Sequence, residues 1–435
     1  MRFIDLFAGL GGFHSALSAL GHECVFASEI DEQLRETYAR NFPSMKRRIY
    51  GDIRQHKHKV PRHDILCAGF PCQPFSKSGT QEGVLDKTRG TLFHEILEIL
   101  EHQRPKYLLL ENVGNFERHD EGRTWKLVKA SLVALGYNVR GTEHVASGGH
   151  GLVSPHHLGY PHSRERFFVV ASLAPIPDDP FPPRNNEQVT SLRDIEQRNG
   201  DLSKEDKVET RLLDHYVDCI EHWNLLLKRI PVDQDLPSFP IWGDEIDAKY
   251  PYLIRTPHSH NASELQTILR LNRSAALQKR ELMAILPSYA REKERRFPDW
   301  KVAFIKQNRE WFHQIKPHMK RGWVANLKRF PPSLRKLEWN CQGEDRNLWR
   351  HVLQFRPSGL RVKRYSASPA LVAMTTTQIP ILGPKRRFIT RVEGLRLQGF
   401  RSDHHLPKSH VDAFEALGNG VHVGVVKAIA KKAFG

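Results

Sequence analysis

The sequence contains no apolar run near the roughly 18 residues that a membrane-spanning helix requires, and its mean hydropathy is −0.52. A spanning helix is therefore excluded. Cysteine is scarce, with five in 435 residues, and none forms a CxxC pair or a Cys/His spacing suited to zinc. An odd handful of cysteines in a long chain argues against a disulfide scaffold and against a structural metal. The opening MRFIDLFAGLGGF lacks the basic start and apolar middle of a secretory signal, meeting Asp5 and a glycine turn instead. With 39% hydrophobic residues against 29 glycines and 27 prolines, the chain is neither disordered nor fibrous. What it has in excess is positive charge: 66 Lys and Arg against 49 Asp and Glu, a formal +17. Length suggests two or three domains. The expectation is a soluble, cytoplasmic protein whose partner is a polyanion.

The charge is concentrated. Residues 271–364 hold 23 Lys and Arg against 8 Asp and Glu, a surplus of 15 that accounts for nearly all of the net charge. Aromatics interleave with bases there, as in Arg309-Glu310-Trp311-Phe312, Arg321-Gly322-Trp323 and Lys328-Arg329-Phe330. Such a segment reads as a nucleic-acid surface, with cations on phosphates and rings on bases or sugars. Each ring taken singly reads rather as a core residue of a solvated helix.

The first third alternates between strand and helix patterns. Strands are expected at 2–7, 24–28, 64–68, 106–110 and 166–172, with helical stretches between most of them. That order predicts an α/β fold built on a doubly wound sheet, whose ligands bind beyond the carboxyl ends of the strands. Beyond the first strand lies Phe7-Ala8-Gly9-Leu10-Gly11-Gly12, a turn that lets backbone approach a ligand closely. Beyond the second lies Glu29, placed to accept from ribose hydroxyls, and Gly51-Asp52-Ile53 supplies another carboxylate. Two acids and a glycine turn at successive strand ends point to a nucleoside-bearing cofactor. The glycine spacing is not GxGxxG, which counts against a dinucleotide.

After the strand 64–68 comes Gly69-Phe70-Pro71-Cys72-Gln73-Pro74-Phe75-Ser76. A cysteine held between prolines at a sheet mouth is poised as a nucleophile once its pKa falls. Cys24 and Cys67, in or against strands, read as inert. The polar, glycine-punctuated stretch 76–90 is long enough to close over a substrate. Glu111-Asn112-Val113 follows the strand 106–110 and faces the same crevice. A thiolate and a glutamate on neighbouring strand ends suit attack on a heterocycle that must be protonated as it accepts the thiolate.

These residues carry a resemblance. DLFAGLGGF at 5–13, GFPCQPFS at 69–76, ENV at 111–113, HSRER at 162–166, RVEGLRLQGF at 391–400 and GNGVHVGVVKAIA at 418–430 resemble, in order, the blocks of the DNA (cytosine-5)-methyltransferases of bacterial restriction–modification systems. The resemblance covers roughly 1–172 and 386–430. It implies a Rossmann-like methyltransferase sheet with an inserted, largely helical target-recognition domain. It also implies that Phe7, Gly9, Gly11 and Gly12 hold S-adenosylmethionine, with Glu29 on the ribose and Asp52 on the adenine amino group. Ile30, Ile53, Pro71 and Asn419 would complete that pocket. Cys72 would be the nucleophile and Glu111 the acid on the base, with Arg164 and Arg166 holding the cytosine edge and adjacent loop. Ser76 and Arg89 would be DNA contacts, and Arg89, in TRGTLF, would support a closed catalytic loop. Two departures stand out: His162 occupies a position usually held by glutamine, and GNGVHVGV lacks the serine and prolines common there.

The proline-rich run Pro175–Arg184 marks a boundary, so the expected domains are 1–175, 176–385 and a return at 386–435. Within the insert, 264–286 and 303–315 read as helices and 367–382 as including strands. Arg361, Lys363 and Arg364 are candidate phosphate contacts. The expected enzyme is a monomeric, cytoplasmic methyltransferase acting on double-stranded DNA, with a cognate restriction endonuclease as functional partner. The order of the blocks sets the further expectation that no regulatory domain is appended. An RNA (tRNA) cytosine methyltransferase on the same scaffold and a non-catalytic DNA-binding relative remain alternatives.

Overall fold

The computed structural model describes residues 1–435 except 72–90, 142–150, 186, 247, 249, 252–254, 272–276 and 373–377. Two compact units emerge: Met1–Glu209 with Ser366–Thr376 and Ile389–Gly435, and Thr210–Tyr365 with Thr377–Phe388.

The first unit is built on a sheet of β1 (Arg2–Leu6), β2 (Glu23–Ser28), β3 (Ile49–Tyr50), β4 (Ile65–Gly69), β5 (Tyr107–Val113), β6 (Asn138–Arg140), β7 (Leu152–Val153) and β9 (Arg166–Ser172). Their order is β3-β2-β1-β4-β5-β9-β6, with β7 also on β9. The pairs from β3 through β5 are parallel, while β9 runs antiparallel to β5, β6 and β7. A two-residue strand β8 (His162–Ser163) pairs separately and in parallel with Ser368–Pro369. Chain order reverses between β1 and β4, which opens a crevice at their carboxyl ends.

The reason these segments are strands lies in their burial. Phe3, Ile4 and Leu6 of β1 are inaccessible, as are Leu108, Leu109 and Leu110 of β5. Continuous apolar runs of this kind belong to sheets covered on both faces. Between the strands lie α1 (Gly12–Ser18), α2 (Glu32–Asn41), α3 (Ile53–His56), α4 (Leu92–Gln103) and α5 (Arg123–Ala134). The late helix Val423–Phe434 packs on α1, so the last part of the chain seals the first.

The expected boundary near 175 falls inside this unit. The proline-rich stretch and its continuation remain docked there to Glu209, where the domain reading placed the insert from 176 onward. Lys432 Nζ donates to Phe181 O at 2.7 Å, and the Gln197 amide to Glu393 Oε1 at 2.8 Å. Arg391 Nε meets Glu209 Oε2 at 3.0 Å. Prolines here give an extended strap held by side chains, a conformation composition cannot tell from a linker.

The second unit combines helices with a six-stranded sheet in the order 241–242, 336–340, 359–363, 352–356, 381–382, 387–388. The stretch read as one helix over 264–286 contains two, Ala262–Ile268 and Lys279–Ile285, and that over 303–315 begins earlier, at Asp299. Tyr250, Leu265, Leu269, Leu282 and Phe297 form an apolar cluster here. Of the interleaved aromatics, Trp311, Phe312 and Trp323 are core residues, each less than a tenth exposed, while Phe330 is half-buried. Trp323 stacks on His222 at 4.7 Å and donates its indole N–H to the His222 carbonyl at 2.9 Å. No helix among the described residues is long and apolar enough to cross a membrane.

Candidate active site

β1 ends at Leu6, and the next residues turn sharply. Phe7 has φ 57°, Gly9 φ 51° and Gly11 φ 80°; two glycines in three positions make this left-handed path affordable. The Gly9 amide donates to Glu29 Oε2 at 2.9 Å, and the Asp31 amide to Glu29 Oε1 at 3.0 Å. Glu29 is thereby fixed at the mouth of β2. Arg35 Nη1 secures the same corner by donating to the Ile30 carbonyl at 2.7 Å. At the end of β3, Asp52 caps α3 and accepts from Arg54 Nη2 at 2.6 Å. Those hydrogen bonds hold its carboxyl below the usual range.

Two adjoining cavities share Phe7 and Glu29. One, of about 270 Å³, is walled by Ile30, Asp52, Ile53 and Leu92. The other, of about 380 Å³, brings together Gly9, Pro71, Glu111, Arg164, Arg166 and Asn419. Of the residues expected to hold a cofactor, eight line these cavities. Gly11 and Gly12 stand behind them: a Cβ on Gly12 would lie 2.6 Å from the Val421 carbonyl oxygen, so glycine there permits the close approach of α1 to the 418–421 loop. Apolar walls flanked by two carboxylates suit a nucleoside, with an apolar ring face and polar edges. Gly9 leaves open space where a side chain would project. The residues present fit such a group.

Glu111 lies near the end of β5, buried. Its Oε1 is 3.0 Å from Arg166 Nε. The register explains the pairing, because Arg166 sits opposite Val113 and Phe168 opposite Glu111, so the two charged side chains form a diagonal pair on one face. Burial raises the Glu111 carboxyl, and Arg166 and Arg164 oppose the rise only in part. Arg164 is buried and spans three carbonyls, donating to Leu371 O at 3.2 Å, Gly418 O at 2.7 Å and Gly420 O at 3.1 Å. Burial, with repulsion from Arg166, lowers its pKa to about 9. His162 donates from Nδ1 to Leu397 O at 3.1 Å, tying its block to the late RLQGF block.

Sequence reasoning missed Asn112, whose side-chain amide donates to Phe70 O at 2.9 Å and ties the chain entering Cys72 to β5. It sits inside ENV, where only Glu111 drew attention. Arg54 was missed as well, since nothing in its spacing marks it as the partner of Asp52. Cys72, Ser76 and Arg89 lie outside the described residues. Of the candidate phosphate contacts, Arg361 Nε is 2.8 Å from Glu338 and Arg364 Nε 3.0 Å from Glu344, while Lys363 is half-buried. Among the described residues no cluster of His, Cys, Asp and Glu has the makings of a metal site.

The family description C-5 cytosine-specific DNA methylase matches residues 1–231 and 257–435. The chain belongs to this family. It is 32% identical to the type II methyltransferase M.AluI of Cellulosimicrobium cellulans, over 99% of this chain and 91% of that one. It is 44% identical to the type II methyltransferase M.HhaI of Haemophilus parahaemolyticus over 39% of this chain and 48% of that one. With M.MspI of a Moraxella species the figures are 43% identity, 40% and 38%. The chain is thus a DNA (cytosine-5)-methyltransferase with the methyltransferase α/β fold. Methyl transfer by this family implies S-adenosylmethionine as donor.

Proposed function

We propose that the enzyme methylates one cytosine within a specific duplex sequence, flipped out of the stack, through a covalent bond between Cys72 and C6. Flipping costs a few kcal/mol and is required because neither face of a stacked base is open to attack. The Cys72 thiolate adds to C6 while Glu111 hydrogen-bonds N3 and supplies its proton, leaving an enamine with electron density on C5. S-adenosylmethionine, when bound, supplies a methyl group on a sulfonium sulfur whose departure leaves a neutral thioether. Once C5 carries the methyl group, loss of the C5 proton expels Cys72 and restores the ring. Phe7, Glu29, Ile30, Asp52, Ile53, Pro71 and Asn419 would hold the donor. Arg166 orients Glu111 and faces the base; Arg164 holds the 418–420 loop against it.

The observation that carries this reading is the pairing of buried Glu111 with partly exposed Arg166, 3.0 Å apart, in a cavity that also contains Pro71, the neighbour of Cys72, and reaches Glu29. In the cell the activity would protect cytoplasmic DNA from a cognate restriction endonuclease, with the methyltransferase acting as a monomer. The test is incubation with S-adenosylmethionine and duplex DNA in which 5-fluorocytosine partly replaces cytosine. Fluorine blocks the final elimination, so a denaturation-stable protein–DNA adduct is expected, and its absence in Cys72→Ser assigns the nucleophile. Methyl transfer to tRNA but not to DNA would overturn the reading.

A further inference from the structure

We propose that the groove between the helix Asp299–Ile315 and the helix Trp323–Leu327 binds the phosphate backbone of duplex DNA through Lys316, Lys320, Arg321 and Lys328. This rests on the duplex-DNA reading above and assigns that substrate a second contact surface.

The basic character of this stretch comes from a lack of acid. From Trp311 to Leu337 there is no Asp or Glu, while seven Lys or Arg occur. Two of the seven are engaged: Arg335 meets Asp244 at 3.1 Å, and Lys336 is half-buried beside Trp242 and Tyr289. The other five, Lys316, Lys320, Arg321, Lys328 and Arg329, are exposed. Among the described residues none of the five has a carboxylate partner, whereas Arg361 and Arg364 spend their charge on Glu338 and Glu344. The structure thus separates cations used to hold the fold from cations left facing solvent.

Four of the five line a single concavity of about 690 Å³, joined by His313 and Arg309. Among the described residues its one acidic wall residue, Glu245, is committed to Arg309 Nε at 2.7 Å. A concave surface lined by one sign of charge over low-dielectric walls focuses its field outward and attracts a polyanion. Gly322, with φ 80°, turns the chain so that Lys320 and Arg321 precede the short helix and Lys328 follows it. The aromatics that could have stacked on bases are instead buried beneath, Trp323 against His222 and Phe312 in the core. With its Trp and Phe rings buried and its exposed wall dominated by cations, this groove contacts phosphate. Its contribution is positional and independent of sequence.

The experiment compares the unsubstituted enzyme, the fourfold variant Lys316→Gln/Lys320→Gln/Arg321→Gln/Lys328→Gln, and the control Arg361→Gln/Arg364→Gln. Binding to a fluorescent duplex of random sequence is measured between 50 and 200 mM salt. Each lost phosphate contact removes about 0.9 from the slope of log affinity against log salt, so the fourfold variant is expected to lose up to about 3.6. Its affinity loss across that salt range then shrinks by up to roughly 150-fold. KM for DNA should rise, with kcat at saturating DNA and the melting temperature unchanged. The control should keep its slope within about 1. An unchanged slope in the fourfold variant, or a loss confined to the control, overturns the groove assignment even while the parent enzyme methylates DNA. A parent that shows no salt-dependent DNA binding overturns the duplex reading itself, and the groove with it. If the fourfold variant melts early, the single variants Lys316→Gln and Lys320→Gln are each expected to shift the slope by about 0.9, and no shift in either refutes the assignment.

Discussion

Three glycines within four residues of the first turn perform three different physical tasks, so alanine at each should fail in a different way. At Gly9, φ is 51° and nothing lies within 4 Å of an added Cβ. Gly9→Ala therefore costs only the left-handed backbone, about 1–2 kcal/mol, but its methyl enters the space beside the donor cavity. At Gly11, φ is 80° and the added carbon meets the Phe42 ring, with Tyr38 Cε2 at 3.0 Å. Backbone strain and overpacking of about 1–3 kcal/mol then add, giving a loss of about 2–5 kcal/mol. At Gly12 the backbone is unstrained, but the carbon would stand 2.5 Å from Val421 Cγ1 and 2.6 Å from its carbonyl oxygen. Overpacking of about 1–3 kcal/mol less the helix-propensity gain of up to about 1 kcal/mol leaves a loss of about 0–3 kcal/mol. Urea denaturation ranks stability, and calorimetric titration with S-adenosylmethionine ranks donor affinity. Gly9→Ala should lose at least about tenfold in affinity, equivalent to 1.4 kcal/mol, for the smallest or near-smallest stability loss. Gly11→Ala should be the least stable. A Gly9→Ala protein that is the least stable of the three, with donor affinity intact, would refute the division of labour.

Glu111→Gln should lower kcat by at least about 100-fold, the low end for removal of a positioned acid, while leaving the urea midpoint at pH 8 unchanged or higher. Burial raises the Glu111 carboxyl, so its ionisation costs folding stability as pH rises above the unfolded value, and glutamine removes that cost; a large drop in the midpoint would count against it. Asp5 is buried with its carboxyl well above the ordinary value, by desolvation that the Tyr38 hydrogen bond only partly offsets. Its favourable contribution is present below the unfolded pKa of about 3.9 and declines as pH rises toward the folded value. The stability of Asp5→Asn relative to the parent should therefore increase from pH 4 to pH 8 in urea titrations, and a constant difference would contradict the assignment. Arg164→Lys retains a buried charge but cannot span three carbonyls; at about 1–3 kcal/mol for each buried group left unpaired, a loss of at least about 2 kcal/mol and weaker donor binding are expected from melting and titration.

The catalytic half was legible because its signals are local. Apolar runs at 2–7, 24–28, 64–68, 106–110 and 166–172 correspond to β1, β2, β4, β5 and β9, with ends agreeing to within a residue except at β5, which continues to Val113, so that Glu111 lies within the strand and not beyond it. The acids and glycines beyond them converge because a doubly wound sheet gathers its strand ends in one crevice. Strands of two or three residues, such as β3, β6 and β7, carry too little pattern to be seen. The second unit was opaque for a different reason. Its sheet pairs Leu337 with Leu360 and Leu353 with Ile381, partners that sequence periodicity does not connect. The basic window misled in detail because composition counts charges without showing which are spent on one another. Glu338 and Glu344 engage Arg361 and Arg364, whereas Lys316 and Lys320 are exposed and have no carboxylate partner among the described residues. The aromatics there alternate with lysines because one side of a helix is core, not because rings and cations share a ligand.

The donor cavity also carries a consequence for the order of synthesis. Its walls come from residues 7–34, 69–71, 111–113 and 164–166, and then from 416–421. Some 250 residues separate the fourth contribution from the fifth. At a translation rate of about 5–20 residues per second, the ribosome needs roughly 12–50 s to cover that gap. Throughout this interval the nascent sheet exists with Arg164 facing none of its Gly418 and Gly420 acceptors and α1 lacking the helix Val423–Phe434. The emerging polypeptide therefore cannot close its donor cavity until residues 416–421 have been made. Methylation by a newly expressed enzyme waits on that late segment, and any truncation before residue 416 yields a protein without a finished cavity.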